Sequence, residues 1–325
     1  MCMIFHKHSQ TGYVGEKNLT ILKEIQSLLP HWDIVDITYQ YLITEHYSRM
    51  DIKNQKIYSV CPDNDNNFVL LVNYCDPASY LKDNQHIIDL RWQNLPVMSD
   101  HNCKWNFWAW LYANSKEQFN LKPIPLQLDD NFNHYVFFNN KLPTHRLHAV
   151  QNLMNNDFLF SKGIITASDK DIYLTVEEND VSSNLQENGG GGQRFNTKSV
   201  NQDAGLGNED LIRNTFCYIV GETTNNDNFL SEKSFKPIIA KRPFLHLHTQ
   251  KLDRLKDLGF KTFDILWDEK RDWFEILLDL CTLDAHQLTV MYEAVQDILD
   301  YNYDYFFGDF QTINKKYLTD FIADL

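Results

Sequence analysis

From residue 209 onward the chain alternates between two apolar patterns, and that alternation limits the folds open to it. Residues 216–220 form an unbroken apolar run and residues 244–248 a second run rich in apolar residues, each short enough for a buried strand. Between and after them, residues 231–241 and 250–258 carry apolar positions at helical spacing. The pattern predicts a helix over 209–214, strands over 216–220, 244–248 and 261–265, and Gly259 as the residue that closes the helix before it. Strands and helices joined by short links in strict alternation imply a parallel sheet covered by helices, an α/β fold.

The earlier part of the chain is less regular. Residues 16–29 read as a helix stopped by Pro30, and 34–38 as a short strand. Residues 68–74 are nearly continuous in apolar character, as a doubly covered strand is, with further strand pieces at 86–92 and 96–98. Residues 105–112 read as an aromatic core helix, 135–138 and 163–167 as strands, and 143–159 as a helix. Residues 177–208 are polar, with a run of four glycines at 189–192, and read as a long loop. Residues 273–301 read as a long helix, and the aromatic stretch 301–310 as a segment that packs back on the body. The proline- and aspartate-bearing stretch 123–130 suggests a boundary, giving domains 1–130 and 131–325.

At 325 residues there is chain enough for two such domains. The formal charge of -14 argues against broad binding to nucleic acid, which relies on Lys and Arg. The six cysteines include no CxxC pair, so zinc-knuckle chemistry is not indicated, and a reducing, cytoplasmic setting is expected. No run of 18 apolar residues occurs, so no membrane span is expected.

The stretch Phe229-Leu230-Ser231-Glu232-Lys233-Ser234-Phe235-Lys236-Pro237-Ile238 concentrates polar chemistry at a predicted helix start. Ser231 suits the N-cap and Glu232 the positive end of the helix dipole. Lys233 and Lys236 do not suit that end, unless an anion sits against the free N–H groups there. The plainer alternative is a solvated helix start that happens to carry lysines.

This stretch, together with Arg242-Pro243-Phe244, the run 255–263, residues 211–223 and His145-Arg146-Leu147, resembles the C-terminal half of a group of glycosyltransferases found in phages, large viruses and some bacteria. The likeness covers roughly residues 135–275. The Ser-Glu-Lys element is also similar to the nucleotide-sugar motif of fucosyltransferases. The resemblance implies a GT-B architecture, two Rossmann-like domains facing across a cleft with C-terminal helices. It implies a nucleotide-sugar as co-substrate and no other cofactor, with a glycan or other hydroxyl-bearing acceptor. In that reading Glu232 accepts from ribose hydroxyls, Lys233 neutralises the diphosphate, and Ser231 and Lys236 support it. Arg146 brings a second cation from another helix, and Glu222 is a candidate for a sugar hydroxyl. The departing diphosphate would be stabilised by side chains rather than a metal.

A general base for an inverting transfer is sought after a strand of the first domain, where Asp76 and Asp100 stand; either can equally be a turn or capping residue. Asp63-Asn64-Asp65 and Asp169-Lys170-Asp171 match a metal-binding Asp-x-Asp pattern, but chance matches are expected in an Asp-rich chain. His246 and His248 share a strand face without an evident third ligand. Trp92, Trp105, Trp108 and Trp110 suit core packing better than ligand stacking. Two other functions fit the same residues: transfer to hydroxymethylated bases of phage DNA, which the acidic balance disfavours, and non-catalytic binding of sugars or nucleotides.

Overall fold

A computed structural model describes residues 104–117, 119–139, 142–166, 205–222 and 229–323, together with the backbone of four strands nearer the N-terminus. The chain divides into two units, Met1–Asn114 with Gln311–Leu325, and Ser115–Phe310.

The first unit holds strands β1 (Met3–His8), β2 (Asp33–Thr38), β3 (Val69–Val72) and β4 (Ile87–Asp89). They form one sheet in the order β2-β1-β3-β4, every pair parallel. Helix α1 (Phe107–Asn114) follows, with Ala109, Trp110, Leu111 and Tyr112 buried. Asn106 starts it by accepting from the Ala109 N–H at 2.9 Å. The Asn106 backbone is held in turn by Asn314, whose side chain accepts from its N–H at 2.6 Å and donates to its carbonyl at 2.9 Å. An amide side chain can satisfy a buried N–H and C=O together because it is both donor and acceptor. Trp105 and Trp110 are buried, as core residues are.

The second unit contains β5 (Asn133–Phe138), α2 (Thr144–Met154), α3 (Asp157–Phe160), β6 (Gly163–Thr166), α4 (Glu209–Arg213), β7 (Thr215–Val220), α5 (Glu232–Ala240), β8 (Phe244–His246) and α6 (Gln250–Asp257). Helices α7 (Trp273–Leu280), α8 (Ala285–Ala294) and α9 (Gln296–Phe307) follow in this unit, and all but the first two residues of α10 (Asp309–Ala323) belong to the first. The sheet runs β6-β5-β7-β8 and is parallel throughout. All six residues of β7 are buried, so layers cover both faces of the sheet, as the apolar run predicts. The strand order reverses between β5 and β7, and in open α/β sheets ligands gather at the carboxyl ends beside such a reversal.

Three expectations change. No strand forms over 261–265. Asn302 takes both backbone groups of Lys261, accepting from its N–H and donating to its C=O, each at 2.8 Å. Glu269 accepts from the Phe263 N–H at 2.8 Å. With side chains supplying the partners that a neighbouring strand would, residues 261–263 join no sheet and the chain turns at 264–266, where the Leu266 N–H donates to the Phe263 carbonyl at 2.9 Å; Phe260 and Phe263 are buried all the same. The helix read over 143–159 breaks at Asn156, whose side chain caps α3 by accepting from the Leu159 N–H. The long helix read from 273 breaks into α7, α8 and α9; Asp284 and Gln287 form a reciprocal capping box that begins α8.

Other expectations hold. Gly259 has φ +94° and closes α6, with its own N–H on Lys256 and the Phe260 N–H on Leu255, the two bonds of a Schellman ending. The aromatic tail packs inward: Phe306 and Phe310 are buried around Phe235 of α5, with ring centroids 5.3 and 6.3 Å from it.

Arg242 is fully buried between α5 and β8. It donates to the carbonyls of Ile124 (2.7 Å), Lys241 (3.0 Å), Thr215 (3.1 Å) and Ile212 (3.2 Å). Five guanidinium N–H groups in a fixed fork allow one side chain to collect carbonyls from several segments. Burial lowers its pKa, with the facing Tyr292 and Tyr218 opposing that shift.

Gly163 tests how tightly this unit is packed. A Cβ at this position would overlap the ring of Tyr135, the residue opposite it in the ladder. Tyr135 is fully buried, and its hydroxyl is committed to the Leu159 carbonyl at 3.1 Å, so the ring cannot swing clear without losing that bond. Gly163→Ala is therefore expected to cost about 1–3 kcal/mol in a urea unfolding titration, as overpacking of a close-packed core does.

Candidate functional site

Two helices start at the carboxyl edge of the second sheet, one on each side of its reversal. α2 follows β5 and carries His145 and Arg146 in its first turn. α5 follows β7 and carries Glu232, Lys233 and Lys236. Gly221 and Glu222 continue from β7 and lie between the two starts.

Glu222 joins them. Its main-chain carbonyl accepts from Arg146 Nε at 3.1 Å and lies 2.8 Å from His145 Nε2. Its carboxylate accepts from the Ser231 N–H at 2.9 Å, from the Ser231 hydroxyl in a short bond, and from the Ser234 hydroxyl at 2.6 Å. The residue is 0 % exposed, so it is not a solvated loop residue. Three of roughly four acceptor positions on the carboxylate are taken by the protein itself.

Gly221 is what allows Arg146 to lie there. A Cβ on Gly221 would stand 3.0 Å from Arg146 Cγ and Cδ and from Leu247 Cδ1. That spacing is tight for carbon atoms, so the bare backbone gives room to the arginine stem.

Ser231 caps α5 as its sequence position predicts, accepting from the Lys233 N–H at 3.4 Å. Lys233 Nζ is 2.5 Å from Glu232 Oε1 and 3.4 Å from Ser231 Oγ. The second Glu232 oxygen, Oε2, is buried and has no hydrogen-bond partner. An orphan buried acceptor is costly, and one beside two lysines is positioned to receive a ligand donor. Burial by itself would raise the Glu232 pKa; the charges of Lys233 and Lys236 and the bond from Lys233 outweigh it and bring the value down to about 2.

Ser234 extends the network to β8. Its hydroxyl lies 3.4 Å from His246 Nε2, and His246 Nδ1 accepts the His248 N–H at 3.3 Å. An acceptor at Nδ1 places the ring proton on Nε2, facing Ser234. Burial, together with Lys251 and His248, holds the His246 pKa well below its ordinary value. His246 is thus a neutral, hydrogen-bonded core histidine. Among the described residues no group of three or more His, Cys, Asp or Glu could hold a metal ion. Lys251 is also fully buried and donates to the Phe229 carbonyl at 2.8 Å, anchoring the segment that leads into Ser231.

Of the candidates read from sequence, Arg146, Glu222, Ser231, Glu232, Lys233 and Lys236 come together at this edge. Asp76, Asp100, Asp63, Asp65, Asp169, Asp171 and Trp92 lie outside the described residues. Sequence reasoning did not find the roles of Gly221 and Ser234. The only signal for Ser234 is its position three residues after the Ser231 cap, which brings both hydroxyls to one side of the helix start. No protein-family model matches the chain, and no curated protein sequence matches it. No helix among the described residues is long and apolar enough to cross a membrane.

The depressed Glu232 pKa has a consequence for acid stability. A carboxyl whose folded pKa lies below its unfolded value of about 4.3 stabilises the fold above that pH and loses the contribution as pH falls toward the folded value. Urea midpoints measured from pH 6 to pH 2 are expected to fall more steeply for the parent chain than for Glu232→Gln. The loss of the parent's contribution relative to the variant should concentrate between about pH 5 and pH 2.

Proposed function

We propose that the chain is a GT-B-type glycosyltransferase that moves a sugar from a nucleotide-sugar donor to an acceptor hydroxyl. The observation that carries the reading is the convergence of Arg146, 76 residues away in sequence, on the same Glu222 that holds the start of α5. An acidic protein with a charge of -14 that gathers Arg146, Lys233 and Lys236 at one sheet edge has concentrated cations where an anion would sit. Their placement beside the sheet reversal agrees with the general position of nucleotide sites in α/β sheets. The resemblance of the Ser231-Glu232-Lys233 element to nucleotide-sugar motifs supplies the class of anion.

In this reading the diphosphate lies against Arg146, Lys233 and the first-turn N–H groups of α5. Glu232 Oε2, the orphan acceptor, takes a ribose hydroxyl. The acceptor oxygen bonds to the anomeric carbon as the bond from that carbon to the diphosphate oxygen breaks. The acceptor proton passes to a base, and the negative charge left on the nucleoside diphosphate is met by the cations. Asp76 and Asp100 are the candidates for that base in an inverting transfer. The two parallel sheets, each ordered second-first-third-fourth, support the presence of two similar α/β units, which this architecture requires.

The acidic balance disfavours transfer to DNA bases; added salt would then weaken turnover steeply, and indifference to salt would remove that alternative. A thermal-shift screen of nucleoside diphosphates and their sugars identifies the donor, because a ligand of the folded state alone raises its stability. With that donor, Lys233→Ala and Glu232→Ala are each expected to lower kcat/KM by about ten- to a hundredfold, the worth of a hydrogen bond to a charged group. Parent-like values in both variants would refute the assignment. Donor binding without turnover across an acceptor panel would make the chain a binding module instead.

A further inference from the structure

We infer that Glu222 is the positioning residue of this site, acting through Arg146 and Lys233 rather than on a ligand. The inference rests on the anion-site reading for its consequence, but its structural content stands on the hydrogen bonds alone.

The directions of those bonds can be worked out from the ends. The His248 N–H donates to His246 Nδ1, so His246 presents Nε2–H to Ser234. The Ser234 hydroxyl receives there and gives its own proton to Glu222. On the other side, the N–H and ammonium of Lys233 both point to Ser231 Oγ, whose proton also goes to Glu222. Both branches run toward one carboxylate. An ionised carboxylate only accepts, so it can end two hydroxyl chains and a backbone N–H without conflict. A glutamine of the same shape would turn an NH2 toward one serine and occupy the lone pair that now receives Lys233 or His246.

The same residue fixes Arg146 through its main chain. With the side chain of Glu222 tied to α5 and its carbonyl tied to α2, the separation of the arginine and the lysine is set by one buried residue. Gly221, next to it, leaves the space in which the arginine stem crosses. This arrangement does not use Glu222 for a sugar hydroxyl, the role expected from sequence.

The test combines the NMR signal of Arg146 Nε–H with calorimetric titration of inorganic pyrophosphate, on the full chain. In the parent protein a buried Nε–H bonded to a carbonyl exchanges slowly with water. In Glu222→Gln the accepting carbonyl remains but is no longer held in place from α5, so Nε–H exchange should be faster than in the parent, and pyrophosphate should bind about tenfold more weakly. The double variant with Arg146→Ala should lose less than the sum of the two single losses, since part of the Glu222 effect runs through the arginine. A role confined to folding would lower the melting temperature and leave both readouts of the folded protein unchanged. Nε–H exchange in Glu222→Gln as slow as in the parent, or additive losses in the double variant, would overturn the inference. A parent protein that ignores pyrophosphate would instead refute the anion site, and the Nε–H signal would still decide the positioning role. If Glu222→Gln does not fold, Ser234→Ala removes one of the three bonds to the carboxylate; faster Nε–H exchange supports the inference and unchanged exchange overturns it.

Discussion

A carboxylate buried without exposure has to be surrounded by donors, and at Glu222 this requirement organises the edge of the second sheet. Burying a charge costs several kcal/mol unless hydrogen bonds replace the lost water. The replacements here are the Ser231 N–H and the hydroxyls of Ser231 and Ser234. To supply them, α5 must begin at Ser231 and present its first turn to the end of β7. The same requirement explains why a hydroxyl-bearing cap, rather than an aspartate, suits position 231. A serine hydroxyl can cap the helix with a lone pair while spending its proton on the carboxylate, whereas the acceptor-only oxygens of aspartate cannot.

Packing elsewhere holds this edge in place. Arg242 gathers carbonyls from the α4–β7 junction, from Ile124 and from the end of α5, so the helix is secured at both ends. Phe235, one turn from the Ser231 cap, sits among Phe260, Phe306 and Phe310. The helix whose start carries the polar chemistry thus has its opposite face in an aromatic core. A helix fixed in this way can keep unfavourable charges near its N-terminus, because its position does not depend on the dipole being satisfied. Lys233 and Lys236 are tolerated on that account, and their combined field is what depresses the pKa of Glu232.

The strands and helices of the second unit were largely legible in sequence because their signal is local. β7 carries five consecutive apolar residues, α5 has its cap and α6 has its closing glycine. The misreadings have two causes. The segment over 261–265 has the composition of a strand, but its backbone partners are Asn302 and Glu269, and no local pattern announces a partner 41 residues away. The breaks at Asn156 and Asp284 were announced locally by capping residues, and helical apolar spacing across them outweighed that signal.

Sequence by itself determined that residues 209–258 form alternating strands and helices in a parallel sheet, and that Ser231 starts a helix bearing an unusual density of charge. Periodicity and capping act over a few residues, so neighbouring residues suffice to specify them. Only the tertiary structure decided that Arg146 belongs to the same place, that Gly221 makes room for it, and that the Glu222 carboxylate faces the serine hydroxyls. Those facts depend on which strand ends lie side by side. That adjacency comes from the β5–β7 pairing across more than 70 residues of intervening chain, where the register of Tyr135 with Cys217 brings the two loops to one edge.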